Sequence, residues 1–244
     1  MDSIRRLNDL INSSENIVFF GGAGVSTESG IPDYRSEDGL YRTKYKYPPE
    51  VMLSHDFFFS STSEFYSFYK EKMIHLGAEP NAAHLKLAEL EKAGRLRAVI
   101  TQNIDGLHQK AGSENVCELH GSIHRNYCTE CRRPYGAEYV MSAEDVPLCT
   151  ECGGIVRPDV VLYQETLDND VITSAVNHIK KADLLIIGGT SLAVYPAASL
   201  IHYFRGASLV LINKSEIPSL ENADLVFSEK IGDVMSEVKL KSSI

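Results

Sequence analysis

Four short apolar runs constrain this chain more than any other feature: "NIVFF" (16–20), "RAVIT" (97–101), "DLLIIGG" (183–189) and "SLVLINK" (208–214). Each is of strand length and rich in Val, Ile or Leu without strict alternation. Such runs need cover on both faces, as strands of a parallel sheet between helices have. Helical stretches separate them, at "NAAHLKLAELEKAG" (81–94), "NDVITSAVNHIKKA" (169–182) and "PAASLIHYFRG" (196–206). Alternating strand and helix give an α/β chain with a doubly wound sheet.

Two stretches break that rhythm. Residues 36–80 are aromatic-rich and carry no convincing strand, and residues 122–158 hold four of the 5 cysteines. Both read as excursions that form a smaller domain, which a chain of 244 residues has room for. The opening stretch spaces Ile4, Leu7, Leu10 and Ile11 as one face of a helix, too polar for the apolar part of a signal peptide. No apolar run has the length of a membrane span. A formal net charge of -9 opposes nonspecific attachment to nucleic acid or an anionic membrane. A cytoplasmic protein with reduced cysteines is the expectation.

Cys128, Cys131, Cys149 and Cys152 form Cys-x2-Cys-x17-Cys-x2-Cys. Two thiolate pairs on tight turns can surround one Zn²⁺ tetrahedrally, and four sulfurs leave no position for a reacting water, so the site is structural. Two disulfides are the competing reading, disfavoured in a reducing compartment. Cys117 stands apart and reads as a packed residue.

In "FFGGAGVSTESGIPDYR" (19–35), glycines follow a strand and turn backbone N–H groups toward an anion. The dinucleotide fingerprint Gly-x-Gly-x-x-Gly fails, because counting from Gly22 the sixth position is Thr27. A tight turn between strand and helix accounts for the same glycines. Asp33, Tyr34 and Arg35 after Pro32 fit either a surface ion pair or a lid over a bound ring.

Taken in order, "GAGVSTESGIPDYR", "TQNIDGLHQKAG" (101–112), "ELHGS" (118–122), the four cysteines, "GTSLAVYPA" (189–197) and "IN" (212–213) resemble the sirtuins, NAD-dependent protein-lysine deacylases. The resemblance spans nearly the whole chain. It implies a Rossmann-type large domain of residues 1–35, 81–121 and 159–244. The small domain would be a helical insertion and zinc ribbon, residues 36–80 and 122–158, with NAD and acyl-lysine meeting in the cleft between. Ala23, Gly24 and Thr27 fall on the phosphate loop, and Asp33, Tyr34 and Arg35 on the cofactor loop. Gln102, Asn103, Ile104 and Asp105 fall on the ribose and nicotinamide pocket, Thr190, Ser191 and Asn213 on the adenosine side, and Ile231 near the adenine. Val160, Val161, Leu162 and Val194 would line the lysine tunnel, with the peptide added as a strand between residues 159–163 and 192–196.

In that scheme the acyl-lysine oxygen displaces nicotinamide at the ribose C1′, a step served by positioning and water exclusion. A ribose hydroxyl then needs a base near neutrality. His120 suits it, since imidazole titrates near ~6.5; Asn103 and Asp105 complete the catalytic set. His108, three residues beyond Asp105, is the runner-up, structural under the resemblance. Products would be free lysine, nicotinamide and O-acyl-ADP-ribose; the partners are acylated-lysine proteins or peptides, with neither membrane nor nucleic acid.

Tyr34 stands where the family commonly has Phe, and Gln164 where it commonly has Gly, which bears on the peptide loop. The Tyr-x-x-Arg pair of members that prefer acidic acyl groups is echoed only by Tyr69 and Lys72, which also fit a helix surface. Acetyl or longer neutral acyl groups are therefore expected. Mono-ADP-ribosyl transfer, or an NAD- or ADP-ribose-binding adaptor without catalysis, are the rival readings.

Overall fold

The computed structural model describes residues 2–33, 46–220 and 223–241. Helix α1 (Asp2–Ser13) buries Leu7 and Ile11 on one face and leads into β1 (Ile17–Gly21). Short helices α2 (Pro49–Met52), α3 (His55–Ser60) and α4 (Thr62–Lys72) follow. Next come α5 (Ala82–Lys92), β2 (Leu96–Thr101), α6 (Leu107–Lys110), β3 (Val116–Glu118) and β4 (Gly121–Cys128). The chain continues through β5 (Pro134–Tyr135), α7 (Ala137–Ser142), β6 (Val156–Val160), α8 (Asn169–Lys181) and β7 (Leu184–Gly188). It ends with β8 (Ser208–Ile212), β9 (Leu225–Phe227) and α9 (Ile231–Ser236).

Six strands form one sheet in the order β3-β2-β1-β7-β8-β9, every pair parallel. The chain builds outward from β1 to β3, then returns to β1's other side at β7 and builds the opposite way. The direction reverses between β1 and β7, and the crevice beyond the carboxyl ends there is where such sheets hold ligands. Strand side chains alternate between two cores. Phe19, Ile186 and Val210 pack with Leu7, Leu87 and Val234 on one face, while Phe20, Ile187 and Leu211 pack with Ala175, Ile179 and Ile201 on the other. Burial on both faces explains why these runs show no polar alternation.

A third core unites the two segments that break the alternation. Phe58, Phe65, Tyr66 and Tyr69 of the helical segment pack with Ile123, Cys128, Val140, Cys149 and Val156 of the cysteine segment. Phe58 meets Phe65 edge to face with ring centroids 5.0 Å apart, and each ring excluded from water contributes about 2–3 kcal/mol. The second sheet, β5-β4-β6, is antiparallel. Its register shifts between Ser122 and Asn126, so residues 123–125 bulge away from β6 at Pro158, which has no N–H to offer a ladder.

The structure departs from the sequence expectations in one place. Residues 197–203 wind as a 3₁₀ helix within the span 196–206 expected to be helical. Of the two segments flanking the expected peptide, 159–163 starts with the last two residues of β6 and 192–196 forms no strand.

Candidate active site

A cleft of about 930 Å³ lies over the switch point, between the parallel sheet and the third core. Its walls follow from topology. Ala23, Gly24 and Thr27 follow β1; Gln102, Asn103, Ile104 and Asp105 follow β2; Thr190 and Ser191 follow β7; Asn213 follows β8; and all of them line it. Asp33, His120, Val160, Val161, Leu162, Val194 and Ile231 line the same space. Tyr34 and Arg35 lie outside the described residues.

Close backbone contact sets the loop after β1. Gly24 N–H donates to the Gly189 carbonyl at 2.8 Å, and a Cβ at Gly24 would come within 2.8 Å of Gly189 Cα. Glycine at 24 is thus required by packing against the loop after β7. Thr27 Oγ1 donates back to the Gly24 carbonyl at 3.0 Å, and Glu28 accepts from Gly232 N–H at 2.7 Å, tying the loop to α9.

On the β2 side, Ser26 organises the polar groups. Its buried hydroxyl donates to Asp105 Oδ2 at 2.6 Å and accepts from Asn103 Nδ2 at 3.0 Å. Asp105 Oδ1 accepts from Leu107 N–H at 2.9 Å, so donors hold both oxygens in place, and each keeps a lone pair that can accept from an amide. The β4 bulge supports this segment from behind: Ile123 N–H reaches the Ile104 carbonyl at 3.0 Å and His124 Nε2 the Asp105 carbonyl at 3.0 Å. Sequence reading passed over Ser26, because a serine in a polar loop carries no signal until its partners are known.

His120 sits between β3 and β4, and its tautomer follows from one contact. Nδ1 lies 2.9 Å from the Gln102 carbonyl, which can only accept, so Nδ1 carries the proton and Nε2 is left as a lone-pair acceptor. Burial pushes its pKa below the usual 6.5, opposed in part by that carbonyl. A neutral imidazole at neutral pH, with an acceptor nitrogen beside a cleft, is a competent general base. Gln102 also donates from Nε2 to Thr190 Oγ1 at 3.1 Å, joining the base to the loop after β7.

His108 cannot serve as the base. It is 1% exposed, and burial, then the neighbouring His84, hold its pKa down at about 3. Tyr69 and Lys72, which fit a helix surface by sequence, instead line the cleft from α4.

The four cysteine sulfurs lie within 4.8 Å of one another. Cys128 and Cys152 are 3.4 Å apart and Cys131 and Cys149 3.5 Å, far beyond a disulfide's ~2.05 Å. A tetrahedral Zn²⁺ with ~2.3 Å bonds needs sulfurs about 3.8 Å apart, within the observed spread. Backbone N–H groups of Glu130 and Cys131 point at Cys128 Sγ, and that of Glu151 at Cys149 Sγ. Such donors favour thiolates, and the donor set fits zinc. Cys117 is buried apart, with Sγ 3.7 Å from Ser174 Oγ.

A family model described as the Sir2 family matches residues 22–196. A protein of Clostridium acetobutylicum named NAD-dependent protein deacetylase is 59% identical over 241 residues, covering 98% of each chain. A solved Sir2 structure described with deacetylated p53 peptide and 3′-O-acetyl-ADP-ribose superposes with TM-score 0.89, 40% identity and 96% of each chain covered. Another, described as Sir2 with p53 peptide and NAD+, gives TM-score 0.83 at 40% identity over 95% of each chain.

Proposed function

This chain belongs to the Sir2 family, and from that premise we propose how it acts as an NAD-dependent protein-lysine deacetylase, an enzyme with one structural zinc site. Bound NAD supplies an electrophilic ribose carbon with nicotinamide as its leaving group, and the acyl group ends on the ADP-ribose. The chain's own residues do the rest. Asp105, already anchored by Ser26 and Leu107, accepts from the carboxamide of the leaving base, and the Ile104 segment packs beside it. Asn103 orders the ribose. Gly22, Ala23, Gly24 and Thr27 receive the diphosphate, with Asp33 at the edge of the same loop; Thr190, Ser191, Asn213 and Ile231 receive the adenosine side.

His120 Nε2 takes the proton from a ribose hydroxyl so that the hydroxyl can attack the acyl carbon. The single observation that carries this role is the Nδ1 contact to the Gln102 carbonyl, which leaves Nε2 as acceptor. Val160, Val161, Leu162 and Val194 enclose the lysine stem. The cleft then lies between a large domain of residues 1–35, 81–121 and 159–244 and a small one of 36–80 and 122–158, a division supported by the shared third core.

Incubation with NAD and acyl-lysine peptides, read by mass spectrometry, tests the reaction. Free lysine, nicotinamide and O-acyl-ADP-ribose support it; labelled protein without deacylation supports ADP-ribosyl transfer. Lys72 lines the cleft with its ammonium paired to Glu71, so the panel centres on acetyl and longer neutral acyl groups, with acidic ones as the contrast. A cytoplasmic location and acylated proteins of the same compartment complete the reading.

A further inference from the structure

The loop that closes β6 toward the cleft has an unusual residue at its turn. Gln164 has φ 76°, the left-handed region where a non-glycine residue is strained. Its side chain shows what holds it there. Oε1 accepts from Asp56 N–H at 3.0 Å, and Nε2 donates to Asp56 Oδ2 at 3.1 Å. Asp56 lies in the first turn of α3, where backbone N–H groups have no partner within the helix. Ser54 Oγ accepts from Phe57 N–H at 3.2 Å, and the Tyr163 carbonyl accepts from His55 N–H at 3.0 Å. Gln164 satisfies the remaining donor between them from 108 positions away. Tyr163 N–H completes the seam by donating to the Leu53 carbonyl at 3.0 Å.

We propose that Gln164 is a substrate-positioning residue: its two bonds to Asp56 clasp the loop after Val160 to α3 and hold the peptide side of the cleft in its binding shape. This rests on the reading of Val160–Leu162 as the tunnel wall. The loop's other end is already fixed, because Leu162 N–H donates to Glu165 Oε2 at 2.9 Å and Arg157 pairs with the same carboxylate. With the clasp closed, a peptide meets an ordered edge and loses no affinity to loop ordering. The family's common glycine would reach the same φ without strain but could not make the clasp.

Gln164→Gly separates strain from clasp, since glycine accepts the backbone conformation. The variant should weaken an acetyl-lysine peptide about fivefold, in equilibrium binding and in KM, the scale of two exposed hydrogen bonds. kcat and the KM for NAD should stay within about twofold. Asp56→Ala should give part of the same loss, Asp56→Asn almost none, and the Gln164→Gly/Asp56→Ala pair no more than Gln164→Gly alone. Hydrogen exchange at the Asp56 amide should accelerate in Gln164→Gly.

Unchanged peptide affinity with a deprotected Asp56 amide would overturn the proposal, and so would an equal rise in the KM for NAD. A wild-type protein that binds the peptide without deacylating it refutes the deacetylase reading instead, and the binding series still reads the clasp. Failure of the wild type to bind the peptide overturns both.

Discussion

His84 on α5 and His108 on α6 pack ring against ring, centroids 4.7 Å apart, and Phe19 of β1 closes over His108. His84 Nε2 and both nitrogens of His108 are buried without a hydrogen-bond partner among the described residues. The charged group facing His84 is Asp105. Burial holds His84 down at about 4 and His108 at about 3, against the ordinary 6.5. Above pH 6.5 both rings are neutral in the folded and the unfolded chain, so their contribution is level. Below it the unfolded chain takes protons that the folded chain refuses, and stability falls until the folded values are reached. The slope is about 1.4 kcal/mol per pH unit per ring, so moving from pH 7 to pH 5 costs about 2 kcal/mol for each histidine. Together that is about 4 kcal/mol out of a typical 5–15, or roughly 8–16 °C in Tm. Scanning calorimetry at fixed ionic strength between pH 7.5 and 5 measures it. His108→Leu should remove about half of the fall and leave Tm at pH 7.5 within a few degrees. An equal fall in wild type and His108→Leu would refute the linkage, as would a flat profile in the wild type.

The remaining predictions concern the cleft and the metal centre. His120→Ala should abolish deacylation while NAD affinity changes by less than about threefold, checked by calorimetric titration. Because burial lowers the His120 pKa and only the neutral ring can accept a proton, wild-type kcat should hold level through pH 7 and fall only on the acid side of 6.5; an acid limb above 7 would contradict the neutral base. Gly24→Ala forces a Cβ against the Gly189 backbone, so the KM for NAD should rise more than about tenfold with peptide affinity spared, read in steady-state kinetics. Cys149→Ser or chelation should release zinc and expose residues 49–72 to protease along with the ribbon, because Cys128 and Cys149 belong to the core those helices share. A zinc-free sample with the native digestion pattern would disprove the metal assignment.

The central strands were legible because each is a run apolar on both faces, which only a covered sheet accommodates. β3 and β9 were not: Val116–Glu118 and Leu225–Phe227 have three residues each, too few to show a period. The cysteines announced their site because thiolate spacing is itself the chemistry. The polar network was hidden for the opposite reason. Ser26 links Asn103 and Asp105 across 77 and 79 positions, and nothing local marks a serine that will be enclosed. The Gly24 contact was half legible: the glycine was visible, but the pressure on it comes from Gly189 as well as from any phosphate. At residues 197–203, helix-forming apolar residues were readable while their tighter 3₁₀ winding, set by tertiary packing, was not.

The acceptor that orients the His120 ring belongs to the main chain, so any of the twenty amino acids at position 102 would supply it. Redesigning the pocket for another acyl group can therefore exchange side chains around the ring without moving its proton from one nitrogen to the other. Only a rerouting of the chain just past Thr101 could do that, which makes this half of the chemistry resistant to drift by point substitution.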